Sequence, residues 1–220
     1  RTVQDTIPYE HVHGKYNFEV EKNRYSVTYS FSDVTYDAAD AAEQERIFLA
    51  YGDLLNSFDT SDDIQITLHN NVINQKEFSS QILLKHAGDG FDEYRDEYNE
   101  MLLDKMQQGQ NGITTKKYFT VTVTAATLEL AQQKLAAKEL YMRSCFQKIG
   151  SNIEKLKANE RIRIIAEIFR GVNQEIRPIS SSEFLRGAEK SLCCPDYFEF
   201  KKDYFMYNDK FARMVYLKHL

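Results

Sequence analysis

Tryptophan is absent from this 220-residue sequence, and proline (3), glycine (9) and cysteine (3) are sparse. So little Pro and Gly excludes collagen-like and flexible low-complexity chains. With 42% hydrophobic residues the chain has material for an ordered core. The cysteines, Cys145, Cys193 and Cys194, supply no framework for a disulfide-stapled secreted fold. Adjacent residues such as Cys193 and Cys194 close too short a ring to bridge without strain, so a reducing compartment is predicted. No apolar run approaches the ~20 residues that span a bilayer, and no secretory leader is visible. The chain opens on Arg1 rather than Met and closes just after an apolar stretch, which predicts a piece of a longer protein.

Another absence is chemical. A P-loop needs G-x-x-x-x-G-K-[ST], because glycines let backbone amides wrap phosphates while Lys and Ser/Thr hold phosphate and metal. The only Gly-Lys pair, Gly14-Lys15, is followed by Tyr16 and has no glycine five residues earlier. This excludes a P-loop ATPase within these residues; no catalytic residue and no cofactor is expected here. The net charge of -5 argues against a broad grip on nucleic acid, and no RNP-like pattern for stacking bases on a sheet occurs. Charge is unevenly spread. Arg46 is the only cation between Asp37 and Asp63, whereas Lys157, Arg161, Arg163, Arg170, Arg177 and Arg186 follow Lys155. Such asymmetry suits docking to a charged partner, although solvated helix faces produce it more often.

What is present reads as alternating elements. Tyr25, Val27, Tyr29 and Phe31 alternate with Ser26, Thr28 and Ser30, the pattern of a strand with one wet face. Tyr16 to Val20 is its hairpin partner across Lys22-Asn23. A helix follows from about Asp40, with an apolar stripe of Ile47, Tyr51, Leu54, Leu55 and Phe58. Ile64, Ile66 and Leu68 mark a second strand, and Gln81 to Lys85 a third. Gly88-Asp89-Gly90 then introduces a helix expected to bury Phe91, Tyr94, Tyr98, Met101 and Leu102 and to stop at Gly109. Lys117 to Thr124 is the clearest strand: Phe119, Val121 and Val123 face a core, and Tyr118, Thr120, Thr122 and Thr124 face water.

Strand, helix, strand, strand, helix, strand is the signature of a ferredoxin-like βαββαβ core. The fold class expected is therefore α+β, an antiparallel sheet with helices on one face. Additional helices are expected over Thr127–Ile149, ending at Gly150, and Asn159–Arg170, with a short strand between them near Asn152–Leu156. Residues 1–171 make this core, 172–195 a connector, and 196–220 the start of a β-rich segment with a turn at Asn208-Asp209.

Three groups merit a chemical reading. His11 and His13 form an H-x-H pair that could hold a metal on a strand, with the third ligand left open by the sequence. Cys145 falls on a buried helical stripe, and Cys193-Cys194-Pro195 lacks the C-x-x-C spacing of redox or zinc sites. Asp92, Glu93, Asp96, Glu97, Glu100 and Asp104 spread over a helix face, the pattern of solvated carboxylates rather than of a catalytic pair. By contrast, Phe198, Tyr204, Phe205 and Tyr207 lie beside the basic region, and aromatic plus Arg surfaces are what protein interfaces favour. They are the candidate partner-docking residues.

Several segments in order resemble one family. They are Arg1-Thr-Val-Gln-Asp-Thr-Ile-Pro-Tyr-Glu10, Glu43 to Tyr51 with Leu54 to Asp59, Gly88 to Leu103, Asn159-Glu-Arg-Ile-Arg163 and Asp203 to Phe211. Together they resemble the N-terminal region of conjugative type IV secretion ATPases of the CagE/TrbE/VirB family from Gram-positive mobile elements. The resemblance implies a non-catalytic scaffold at the cytoplasmic face of the plasma membrane. ATP and Mg would be bound only in a downstream ATPase domain. Partners would be inner-membrane channel components, particularly a small membrane subunit, and that downstream domain, with oligomers formed by the full-length protein and no direct nucleic acid. The alternatives are a free-standing ferredoxin-like adaptor or nucleic-acid-binding module and, more remotely, a small metal hydrolase using His11 and His13.

Overall fold

The computed structural model describes residues 3–72, 83–108, 113–170, 179, 184, 190–208 and 210–216. The chain divides into two compact units, Arg1–Thr67 with Lys117–Leu220, and Leu68–Lys116.

The first unit is built on an antiparallel sheet of β1 (His11–His13), β2 (Asn17–Glu21), β3 (Arg24–Phe31), β4 (Asp63–Val72), β5 (Ile113–Thr124) and β6 (Ile153–Lys155), with β4 and β5 running on into the second unit. The order is β1-β2-β3-β5-β4, with β6 also paired to β3. β2 and β3 form the hairpin read from the sequence; Asn23, at φ 64, makes its turn. β3 is central. It pairs along its length with β5, while its other edge is shared by β2 near Ser26 and β6 near Ser30.

Two helices pack together over one face of this sheet: α1 (Ala41–Asn56) and, numbered in chain order after α2 (Asp92–Gln108) of the second unit, α3 (Leu128–Ile149). Asp40 caps α1 by accepting from the Glu43 amide, and Thr127 caps α3 by accepting from the Leu130 amide. Gly150 closes α3 at φ 84, a left-handed position that suits a residue without Cβ. Arg46 of α1 bonds the Lys148 carbonyl near the end of α3, so the pair runs antiparallel. Between helices and sheet lie Tyr25, Val27 and Tyr29, Phe119, Val121 and Val123, with Leu54, Leu135, Met142 and Phe146 above them. Phe119, Val121 and Val123 thus form the core face expected.

The other face is not wet. Ser26, Thr28, Tyr118 and Thr120 are buried, covered by α4 (Ala158–Arg170). Arg161 of α4 donates to Ser26 Oγ at 2.9 Å and lies 4.2 Å over the Phe18 ring. Burial pulls its pKa down to about 10, so it stays a cation at neutral pH. Thr28 and Thr120 satisfy each other across the strands at 2.9 Å, which lets two hydroxyls enter the interior without loss of hydrogen bonds. The second apolar cluster, including Ile7, Tyr9, Phe18, Ile162 and Ala166, completes this layer. The expectation of helices on one face therefore holds for α1 and α3 and fails for α4. Alternation on β3 and β5 signalled a wet face because small hydroxyl residues, once paired, serve a polar-tolerant interior as well as a surface.

The chain is α+β. In chain order the elements run β3-α1-β4-α2-β5-α3-β6, so a helix stands between β4 and β5 where the sequence suggested a strand and then a helix before the last strand. Leu83–Lys85 is no strand, and Gln81 and Ile82 lie outside the described residues. The helix beside α1 is α3, which the sequence treated as an addition. The stop at Gly109 and most of the 172–195 connector also lie outside the described residues.

In the second unit, α2 begins at Asp92, later than the start expected from capping by Asp89; Asp89 instead accepts from the Phe91 amide ahead of the helix. Of the five apolar residues expected to be buried, Phe91 just ahead of the helix and Tyr94, Tyr98 and Met101 within it are exposed, and Leu102 is half-buried.

Candidate interaction surface

After α4 the described chain makes one short helical turn, α5 (Lys190–Cys193), and then a separate three-stranded antiparallel sheet, β7 (Phe198–Phe200), β8 (Phe205–Tyr207) and β9 (Lys210–Ala212). The Asn208 side chain accepts from the Asp196 amide at 2.8 Å, and Asn208 takes φ 51, so one residue both turns the β8–β9 hairpin and ties that turn to the chain entering β7. The expected turn is there, with Asp209 outside the described residues.

Register decides which aromatic rings meet. Phe198 lies opposite Tyr207, and Phe200 opposite Phe205, so these four share one face. Phe198 and Phe200 stack at 6.0 Å and 9°, and Phe198 lies 6.1 Å from Tyr207. Phe198 also meets Phe169 of α4 edge-on at 6.4 Å, anchoring the sheet to the first unit's core. Tyr204 points the other way and meets Phe211 at 5.7 Å.

Of the four residues singled out in the sequence, Phe198, Phe205 and Tyr207 therefore come together, and Tyr204 does not. Phe198, Phe205 and Tyr207 are half-buried. Within the three strands of this sheet the rings most open to a partner are Phe200 at 77% exposure and Phe211 at 71%, one on each face. The sequence signal for Phe200 was period two from Phe198; for Phe211 it was its place across a two-residue turn. Two nearby charge pairs are formed: Lys201 binds Glu199 at 2.5 Å, and this contact raises the Lys201 pKa. Arg170 sits 3.6 Å from Asp196.

The residues considered for chemistry are placed otherwise. His11 and His13 do sit on a strand with rings 6.2 Å apart, and His13 Nε2 is 2.8 Å from Glu19 Oε2. Among the described residues no group of three or more His, Cys, Asp or Glu side chains is arranged to hold a metal ion. All three cysteines are buried free thiols, and burial pushes the Cys194 thiol up. The α2 carboxylates are exposed or half-buried on a helix surface, where Asp92 accepts from the Ala87 and Gly88 amides and is held below its usual range by them. Among the described residues no helix is long and apolar enough to cross a membrane. No family model matches the chain, and no curated protein is significantly similar to it.

Proposed function

We propose that this chain is a non-catalytic docking domain of a conjugative type IV secretion ATPase, holding a downstream ATPase domain to inner-membrane channel components at the cytoplasmic face. The resemblance of five ordered segments suggests the family. The observation that carries docking is the aromatic mini-sheet: Phe198 is fixed against α4, and Phe200 extends the same aromatic face into solvent. A rigid, pre-ordered aromatic surface gains area on binding with little loss of side-chain freedom, which is how interface anchors work. The sheet with α1 and α3 over one face, which we read as a ferredoxin-like core with α2 inserted between β4 and β5, acts as the platform.

The test is capture of the small membrane subunit of the same secretion system by this chain. Wild type should retain it, and Phe200→Ala should lose most of the binding while keeping its circular dichroism and melting temperature. Unchanged capture by a folded Phe200→Ala variant removes the mini-sheet as the docking surface. Calorimetry with Mg-ATP should give no saturable heat; micromolar binding would return the chain to the nucleotide-binding class.

A further inference from the structure

Helix α2 is organised the wrong way round for an ordinary amphipathic helix. Over its first two turns the covered side is polar: Asn99 bonds both the amide and the carbonyl of Leu84 at 2.9 Å, Asp92 accepts from two loop amides, and Arg95 joins Asp89 and Asp92 at 2.5 and 2.7 Å; Leu102 and Leu103 enter that side, half-buried, only further along. These contacts fix the preceding loop to the helix without using its apolar residues. Phe91, Tyr94, Tyr98 and Met101 are 61%, 67%, 46% and 43% exposed. At about 100° per residue they fall within an arc of roughly 80°, one continuous stripe. Phe91 and Tyr94 already touch, with ring centroids 6.3 Å apart.

Charge says what covers this stripe. Glu93, Asp96, Glu97, Glu100 and Asp104 are exposed on the side next to it; of the two cations in α2, Arg95 is held by Asp89 and Asp92, and the Lys105 side chain lies outside those described, so carboxylates outnumber cations along the helix. A second copy of α2 would bring two acidic borders together, which like-charge repulsion opposes. A surface with apolar residues at its centre and lysine or arginine at its flanks satisfies both the rings and the carboxylates.

We propose that α2 is a second docking element, and that its occupant is a basic amphipathic helix of another protein, laid along Phe91, Tyr94, Tyr98 and Met101 with its cations against Glu93 and Glu97. The aromatic stripe supplies affinity, and the acidic border supplies selection and a fast, salt-sensitive approach. This inference does not depend on the mini-sheet reading, which concerns residues on another unit of the chain.

The experiment uses the full chain and two labelled synthetic helical peptides, one of leucine and lysine and one of leucine and glutamate in the same pattern, followed by fluorescence anisotropy. The leucine–lysine peptide should bind and the leucine–glutamate peptide should not. Tyr94→Ala combined with Tyr98→Ala should weaken binding about tenfold or more. Glu93→Lys combined with Glu97→Lys should weaken it as well and flatten its salt dependence. Phe48→Ala, on an exposed position of α1, should leave it unchanged. No binding, equal binding of both peptides, or undiminished affinity in the folded tyrosine variant overturns the proposal. Self-association of the chain that disappears with the tyrosine variant overturns it too, by assigning the stripe to a second copy.

Discussion

Lys155 Nζ lies 2.8 Å from Glu139 Oε2, joining strand β6 to helix α3. The same carboxylate accepts from the Tyr29 hydroxyl at 3.1 Å and pairs with Arg143 at 2.8 Å. Tyr29 is 1% exposed, so Glu139 is the acceptor that lets a phenol enter the core. Burial alone would raise the Glu139 pKa; Lys155 and Arg143 outweigh it and leave it below 4.5. Burial and the neighbouring carboxylate push the Tyr29 hydroxyl far up, keeping it a neutral donor.

Glu139→Ala should therefore destabilise the protein by about 1–3 kcal/mol, because it strands a buried hydroxyl as well as two cations. The folded pKa of Glu139 is depressed, so its contribution is fully present above the ordinary value of 4.5 and is lost as pH falls through the lower folded value. Urea midpoints of wild type and Glu139→Ala should differ at pH 7 and converge in acid. A gap that persists at the lowest pH where both still fold would show that Glu139 contributes by packing alone.

Strand β5 offers a test of register. Val121 is 1% exposed in the main core, and Val121→Ala should cost about 1–3 kcal/mol by leaving a cavity. Thr120 faces the other layer, where it bonds Thr28; Thr120→Ala should cost about 1 kcal/mol by leaving that hydroxyl unpaired. Thr122, half-buried without such a bond among those described, should tolerate alanine best. Denaturant melts of the three variants should rank Val121, Thr120, Thr122. A silent Thr120→Ala would contradict the covered second face.

These residues also show how far the sequence could be read. Val121 and its neighbours were legible because period-two alternation reports the more apolar face directly. Thr28 and Thr120 were not: a hydroxyl on a strand looks the same whether water or a partner threonine satisfies it, and their partners are distant in sequence. Phe91, Tyr94 and Tyr98 failed for the converse reason. Helical period identifies a stripe but not whether anything lies against it, and here loop contacts from Leu84 to Asp89 take the polar side instead. At the mini-sheet, the aromatic segment and its turn were legible. Which rings share a face was not, because that depends on the offset between Phe198 and Tyr207 across strands.

Gly150 ends α3 at φ 84 with open space where a Cβ would stand. The demand there is for backbone conformation, not room. Gly150→Ala should cost about 1 kcal/mol, the penalty for placing an L-residue in the left-handed region. Gly52, inside α1 and equally uncrowded, should instead gain several tenths of a kcal/mol from the same change. Thermal melts of the two variants should move in opposite directions; a stabilised Gly150→Ala would mean that α3 ends elsewhere.

The last prediction concerns the loop that holds α2. His86 Nε2 is 2.7 Å from Asp96 Oδ1, and that bond, with Asp96 and Asp92 charges added, raises the His86 pKa above 6.5 against the opposing Arg95 cation. The contribution of a raised histidine is fully present below its unfolded pKa and is lost as pH rises through the folded one. The tie between loop and helix should thus be firm in mild acid and loosen above neutrality. NMR titration should place the His86 imidazole above 6.5 in wild type and lower in Asp96→Asn. Both partners are more than half exposed, so added salt should shrink the difference by screening the charges. Amide exchange at Leu84, whose amide is held by Asn99, should quicken as His86 deprotonates. A His86 pKa at or below 6.5 in wild type, or one indifferent to Asp96→Asn, would remove the pair as a pH-sensitive clasp while leaving the Asn99 contacts to hold the loop.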